Sequence, residues 1–327
     1  MVNKIMLYQN ILETIGKTPL VKINSFSEVR PDVEVYAKIE SFNPSGSVKD
    51  RMALYIVDDA EKRGLLEKGQ VIVENTSGNT GAALAMIAAV KGYKAIFTMP
   101  DKMSQEKQNT LKAFGADVIV TKTDLPFNHP ESYYEVAKRI AKEKKGFYVD
   151  QYNNPKNIEA HYKITGPEIY QDMGGAIDYF VAGIGTGGTL SGISRYLKEQ
   201  DSRIKTIAVD PVGSIFYDYF KFGKLPKTKI YDIEGIGEDY LVKALDLNTI
   251  DDIYQVTDDE AVKETRLLAK SEGIFVGGSS GAVMAAVKKL IVSVKPKSRI
   301  VIIFPDSGFK YLSKIFNPDW LKQKNYY

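Results

Sequence analysis

The chain has 327 residues, 44% hydrophobic and 26% charged, a composition that fits a globular protein of two domains or one large one. Its 44 basic residues are interleaved with 41 acidic ones for a net charge of +3, so neither a nucleic-acid track nor a membrane-binding patch is expected. Cysteine is absent and the only histidines are His129 and His161, which excludes disulfides, thiolate metal sites and thiol nucleophiles and leaves no expected metal centre. No apolar run at the amino terminus has the length of a signal peptide and none elsewhere approaches a membrane span, so the expected compartment is the cytoplasm.

In chain order, residues 15–21 read as a turn running into an apolar segment, and 33–39 as a strand. The stretch 43–51 then carries turn formers (Pro44, Gly46), potential caps (Ser45, Ser47) and apolar residues from Met52 at helical spacing, so a helix begins close to Lys49. An amine at the positive end of a helix, partly desolvated, has its charged form disfavoured and becomes available for carbonyl chemistry. The ordinary alternative is an exposed lysine that only solubilises. Beyond it, β-branched runs at 71–74, 95–99, 118–121 and 147–150 alternate with helical stretches at 81–91, 104–114 and 131–144. A second series follows, with strands at 179–183, 206–210, 253–256 and 299–304 and helices at 190–199, 259–272 and 282–294. This alternation predicts an α/β fold of parallel sheets with helices on both faces. Residues 212–232, rich in aromatics and lysine, break the rhythm and read as an irregular excursion.

In open parallel sheets ligands bind beyond the carboxyl ends of the strands, and three such places are polar and glycine-rich. Asn75-Thr76-Ser77-Gly78-Asn79-Thr80-Gly81 offers three hydroxyls, two amides and backbone N–H groups at a helix start, an anion cradle beyond what capping needs. Gly183-Ile184-Gly185-Thr186-Gly187-Gly188-Thr189 is ambiguous. Gly183, Gly185 and Gly188 satisfy the dinucleotide fingerprint, with Asp210 placed as a ribose-binding acid, so an NAD-dependent dehydrogenase is the competing reading. Thr186 and Thr189 suit a terminal phosphate better than a bridging pyrophosphate, and the dinucleotide reading gives Lys49 no task. Gly277-Gly278-Ser279-Ser280-Gly281 is a third glycine-lined helix start, which taken alone is equally an ordinary capped one.

Together with Pro44-Ser45-Gly46-Ser47-Val48-Lys49-Asp50-Arg51, Glu234-Gly235-Ile236-Gly237 and Pro305-Asp306-Ser307, these stretches resemble the motif set of the fold type II pyridoxal-phosphate β-replacement family. That family includes cysteine synthase and cystathionine β-synthase, and the chain looks most like the catalytic core of the latter. The resemblance implies two open parallel-sheet α/β domains with the cofactor, pyridoxal 5′-phosphate, in the cleft between them. The smaller, mobile domain would be 41–152 and the larger one 1–40 with 153–327. Lys49 would form the imine with the cofactor and move the Cα proton; Gly185, Thr186, Gly187, Gly188 and Thr189 would hold its phosphate. Asn79 would bind the ring hydroxyl and Ser279 would face the ring nitrogen. Thr76, Ser77, Asn79, Thr80 and Gln151 would bind a substrate carboxylate. The implied reaction exchanges the group on Cβ of L-cysteine or L-serine through an aminoacrylate, releasing or using hydrogen sulfide, and includes L-cysteine plus water giving L-serine. A homodimer acting on small amino acids is implied, and the chain's end after the core leaves no room for a regulatory domain. Asn75 and Glu238 depart from the family pattern, the latter where cystathionine β-synthases often carry tyrosine. Asp232, three residues before Gly235, is either a solvated loop acid or the general base for the incoming nucleophile. An idle binding protein that keeps the fold is a further alternative.

Overall fold

The computed structural model describes residues 7–123 and 125–326. Its strands are β1 (Leu20–Ile23), β2 (Glu34–Ile39), β3 (Val71–Asn75), β4 (Lys94–Pro100), β5 (Asp117–Thr121), β6 (Phe147–Tyr148), β7 (Tyr179–Gly183), β8 (Lys205–Pro211), β9 (Asp252–Val256) and β10 (Arg299–Phe304). The helices are α1 (Lys49–Lys62), α2 (Asn79–Lys91), α3 (Gln105–Ala113), α4 (Tyr133–Lys144), α5 (Pro155–Ala160), α6 (Gly166–Asp172), α7 (Gly188–Gln200), α8 (Phe216–Phe222), α9 (Asp258–Ser271), α10 (Gly278–Leu290) and α11 (Pro318–Lys324). The strands form two sheets, one ordered β5-β4-β3-β6 and wholly parallel, the other β1-β2-β10-β7-β8-β9 and parallel except for the hairpin of β1 with β2. The α/β class with parallel sheets is therefore the fold observed.

Burial explains which strand sits where. In β10, Ile300 to Phe304 form an unbroken apolar run with no exposed face, which suits a strand paired on both edges and covered by helices on both sides. In β5 the residues are partly or fully exposed, as an edge strand allows. Helix α2 is apolar all round and buried from Thr80 to Ala88 between its own sheet and its neighbours, and Gly92, at φ +78°, ends it. β6 stops at Tyr148, short of the expected 150, because Asp150 takes φ +53° and turns the chain out of the ladder.

Two stretches differ from expectation. Residues 212–232 contain α8, which starts where the Asp210 carboxylate accepts the Tyr217 N–H at 2.9 Å and ends at Gly223 with φ +66°. Residues 155–172, for which the sequence predicts no element, fold into α5, a π-helical turn (His161–Thr165) and α6; Pro155 and Pro167 lie in the first turn of α5 and α6.

The most deeply buried charges lie beside the start of α1. Arg51, 1% exposed, donates to Glu40 at 2.6 and 2.8 Å and to Glu168 at 2.7 and 2.9 Å. Lys38 pairs with Glu168 at 2.7 Å and Asp172 at 2.6 Å, and the Thr18 hydroxyl donates to Glu40. The cluster ties α1 to β2, α6 and the amino-terminal turn. Arg51→Met leaves Glu40 uncompensated, so urea unfolding of that variant is expected to show a loss of about 3–5 kcal/mol. Burial raises the Glu168 carboxyl, but Arg51 and Lys38 outweigh it and bring it from 4.5 to about 2. Stability from this group is therefore complete above about pH 4.5 and is lost as the pH falls towards about 2, a drop that denaturation at stepped pH should reveal in the wild type and find reduced in Arg51→Met.

Candidate active site

Lys49 is the first residue of α1. Its turn is stitched to the end of β10 by the Val48 N–H on the Pro305 carbonyl at 2.8 Å and by a bridge between Ser47 and Asp306; a second bridge, Val276 to Ser307, brings in the start of α10. The Lys49 side chain shares a pocket with Gly185, Thr186, Gly187, Thr189, Gly235 and Ile236. Burial lowers the pKa of its amine, with the charges of Asp306 and Glu238 opposing. Lys49 and the glycine loop, some 135 residues apart in the chain, thus face one another.

The helices around this pocket begin differently from those elsewhere. Ser104, Ser132, Asn154, Thr257 and Asn317 cap α3, α4, α5, α9 and α11 with their side chains. Helices α7 and α10 start instead at Gly187 and Gly277 with no side-chain cap, leaving first-turn N–H groups for something else. A phosphate at α7 would take them, together with the Thr186 and Thr189 hydroxyls. Those hydroxyls are held in place: Asn157 donates to Thr186 at 3.0 Å, and Thr189 contacts His161 Nε2 at 3.1 Å. Burial, followed by Lys49 and Arg51, depresses the His161 pKa, which keeps its ring neutral. At φ +86°, Gly187 packs so closely that a Cβ there would meet the Ala244 carbonyl at 2.6 Å; glycine serves the approach of protein to the loop as much as that of a ligand.

The expected carboxylate site also assembles. Thr76 Oγ1 accepts the N–H groups of Gly78 and Gly81, both at 3.0 Å, and Thr80 donates to Gln151 at 2.6 Å. Gln151 in turn donates to the Asn75 carbonyl at 3.1 Å, so Thr76, Thr80 and Gln151 are buried, the last two bonded to each other, while Ser77 and Asn79 remain partly accessible. Asn79 donates to Asp306 at 2.8 Å and accepts from Lys310 at 2.7 Å, which is where its amide rests in this structure. Ser279 is buried in the first turn of α10.

Asp232 is turned the other way. Its carboxylate accepts from Lys324 at 2.7 Å and from the Tyr326 hydroxyl at 2.8 Å, and its N–H donates to Asp258. The structure does not bring it together with Lys49. Asp210, the acid of the dinucleotide reading, is fully buried at the start of α8 and has no route to a ribose. Sequence reasoning gave no role to Asn157, His161, Lys310 or Glu238; only Glu238 carried a signal, its departure from the family pattern within a recognised motif.

A buried amine at a helix start, facing uncapped glycine-lined helix starts across two parallel sheets, defines a cofactor-binding α/β enzyme of the pyridoxal-phosphate kind. The chain belongs to that family: the family model described as pyridoxal-phosphate dependent enzyme matches residues 11–306. It is 46% identical over 319 residues to cystathionine beta-synthase of Apis mellifera, covering 97% of this chain and 63% of that one. It is 41% identical to cysteine synthase A of Escherichia coli (strain K12), covering 95% and 96% respectively. Among solved structures, O-ureido-L-serine synthase superposes with a TM-score of 0.88 at 35% identity, covering 97% of this chain and 100% of that chain. The O-acetylserine dependent cystathionine beta-synthase from Helicobacter pylori also gives 0.88 at 37% identity, covering 94% and 98%. The chain therefore spans less than two thirds of the cystathionine beta-synthases of Apis mellifera and Rattus norvegicus, and nearly all of cysteine synthase A of Escherichia coli and of the Helicobacter pylori enzyme. The cofactor is pyridoxal phosphate, and the nicotinamide reading is overturned.

Lys49→Ala removes the only amine that lines the pocket without disturbing the Arg51 cluster. The variant is expected to unfold at wild-type urea concentration and to lose the visible band of a lysine-bound cofactor along with nearly all turnover; near-normal turnover would remove Lys49 from covalent catalysis.

Proposed function

We propose that this enzyme exchanges the substituent on Cβ of L-cysteine or L-serine, and that its characteristic reaction is L-cysteine plus water giving L-serine and hydrogen sulfide. The observation that carries the reading is Lys49 enclosed at the start of α1 opposite the uncapped start of α7, an amine and an anion cradle on either side of one pocket. Bound pyridoxal phosphate supplies an electron sink for the pair left at Cα when its proton departs. Gly185 to Thr189 would hold the cofactor phosphate, Asn79 its ring hydroxyl and Ser279 its ring nitrogen. The neutral hydroxyl of Ser279 leaves the sink weak, which favours chemistry at Cβ. Thr76, Ser77, Asn79, Thr80 and Gln151 hold the substrate carboxylate so that the Lys49 amine takes the Cα proton and later returns it.

The segment 41–152 acts as the smaller, mobile domain and the rest of the chain as the larger. An ion pair supports this division: Lys107 of α3, beneath the Gly78 turn, bonds Glu234 of the opposite wall, which also accepts from Lys314 at 2.6 Å. Closure of that contact would exclude water other than the nucleophile. The reading extends to a homodimer in the cytoplasm; no helix among the described residues is long and apolar enough to cross a membrane.

Asp232 serves as base for the incoming water, a role that requires its carboxylate to leave Lys324 and Tyr326 once substrate is bound. A positioned base contributes about 10²–10⁴-fold. With Asp232→Asn, release of sulfide from L-cysteine in the first turnover should be retained and L-serine formation should fall by that factor. Quenched-flow measurement of sulfide and serine decides it: equal serine formation in wild type and variant would return Asp232 to a structural contact with the C-terminal segment. Purified protein that is colourless and takes up no pyridoxal phosphate would sink the whole reading, and a yellow protein that yields no product from either amino acid would be an idle binder.

A further inference from the structure

The loop that follows the expected base carries a second carboxyl, and its setting is different. Gly235 and Ile236 line the Lys49 pocket, and the Gly237 N–H donates to the Ile184 carbonyl at 2.6 Å, which pins the loop against the end of β7. Glu238 comes next. Its N–H donates to Ser214 Oγ at 3.1 Å and its carbonyl accepts from the Ile215 N–H at 3.2 Å, so the backbone is fixed two residues beyond the pocket-lining Ile236. Its carboxyl lies close enough to Tyr152, the neighbour of Gln151 in the carboxylate site, for that hydroxyl to act on its charge. Around it stand Tyr134, Tyr152 and Tyr240, with ring centroids 5.6 to 6.0 Å apart. Their hydroxyls, with those of Tyr133 and Tyr231, are held protonated by burial. The charged groups that act on Glu238 are Asp239, Lys102 and Lys49.

We propose that Glu238 is the acid that delivers a proton to the group leaving Cβ, so that the sulfur of L-cysteine departs as hydrogen sulfide and the oxygen of L-serine as water. The proposal rests on the β-replacement reading above and adds a residue to it. Burial, and then the nearby Asp239 charge, push the Glu238 carboxyl up to about 8, against the Tyr152 hydrogen bond and the two lysines, so it enters the cleft carrying a proton at neutral pH. A half-buried carboxyl with the reactive amine in its electrostatic range and, among the described residues, no salt bridge of its own is costly to ionise and suited to act as a neutral donor. The balance is complete without a redox partner. The Cβ–S bond breaks with its pair going to sulfur, and that sulfur takes the Glu238 proton. The Cα–H pair, freed when Lys49 takes the proton, becomes the second bond between Cα and Cβ. Water then adds to Cβ, its proton goes to the Asp232 carboxylate and on to solvent, Lys49 returns the proton to Cα, and Glu238 regains its own from solvent. The sum is L-cysteine plus water giving L-serine plus hydrogen sulfide.

Leaving groups differ in how much they need this acid: hydroxide most, hydrosulfide less, chloride not at all. The test uses holoenzyme, wild type and Glu238→Gln, with L-serine, L-cysteine and β-chloro-L-alanine as donors to one thiol nucleophile. The expected loss of kcat in the variant is about 10²–10⁴-fold with L-serine, smaller with L-cysteine and near none with β-chloro-L-alanine. The wild-type rate with L-serine should fall above about pH 8, and that limb should be missing from the variant. Isotope-edited infrared spectra should show a protonated carboxyl band that titrates across the same range in wild type only, and Glu238→Asp should recover part of the L-serine rate. An equal loss with all three donors would make Glu238 a support for Tyr152 and overturn the proposal, as would an undiminished rate with L-serine. A wild type that accepts none of the three donors would instead overturn the β-replacement reading, and the proposal with it.

Discussion

The position of Lys49 depends on Arg51. A guanidinium buried to 1% exposure and shared between Glu40 and Glu168 locks the first turn of α1 against β2 and α6, elements separated by more than a hundred residues. Buried ion pairs add little net stability, because desolvation consumes most of the Coulombic gain, yet they admit few alternative geometries. Two residues back along the helix, that rigidity fixes the turn that carries Lys49. The Asn43 side chain extends the same lock, donating to Glu40 while accepting the Gly16 N–H at 2.9 Å, so the turn before Lys49 is fixed from both sides.

The cleft is organised by what its helix starts lack. Five helices elsewhere carry Ser, Asn or Thr caps, whereas α7 and α10 begin at glycines with no side-chain cap, the first of them lining the Lys49 pocket. Glycine in place of a side-chain cap costs roughly a few tenths of a kcal/mol and leaves first-turn donors free for an anion. The polar residues left in the cleft meanwhile bond one another, as Asn79 does with Asp306 and Lys310. Cofactor and substrate binding therefore exchange one set of hydrogen bonds for another, which limits the net gain and leaves the site able to release its product.

Much of this was legible because the signals are local. The strand at 299–304 is a continuous apolar run, the helix at Lys49 follows a turn of Pro44 and Gly46, and the three glycine-rich loops each follow a β-branched strand. What was missed depends on contacts distant in sequence. Pro155, Pro167 and the histidine between them look like an interruption until α7 packs on them and Asn157 and His161 take hold of Thr186 and Thr189. Asp210 was read as a ribose acid because it ends a strand at the right spacing; its actual role, starting α8, needs the fold of 212–217, which has no periodic pattern of its own.

Side-chain direction in the loop 231–240 is the hardest to read, and two glycines explain why. Gly235 takes φ +86° and Gly237 φ +80°, conformations that reverse the chain twice within three residues. At Gly235 a Cβ would meet nothing within 4 Å, so only the backbone angle demands glycine; at Gly237 it would strike Pro211 at 2.5 Å and the Tyr231 hydroxyl at 2.6 Å. The reversals send Asp232 towards Lys324 and Tyr326 and Glu238 towards Tyr152 and the lysine pocket. Two carboxylates six positions apart thereby acquire different surroundings, one paired with a cation at the surface and one enclosed by tyrosines. Like chemistry at the level of sequence acquires different electrostatic settings only through the backbone between them.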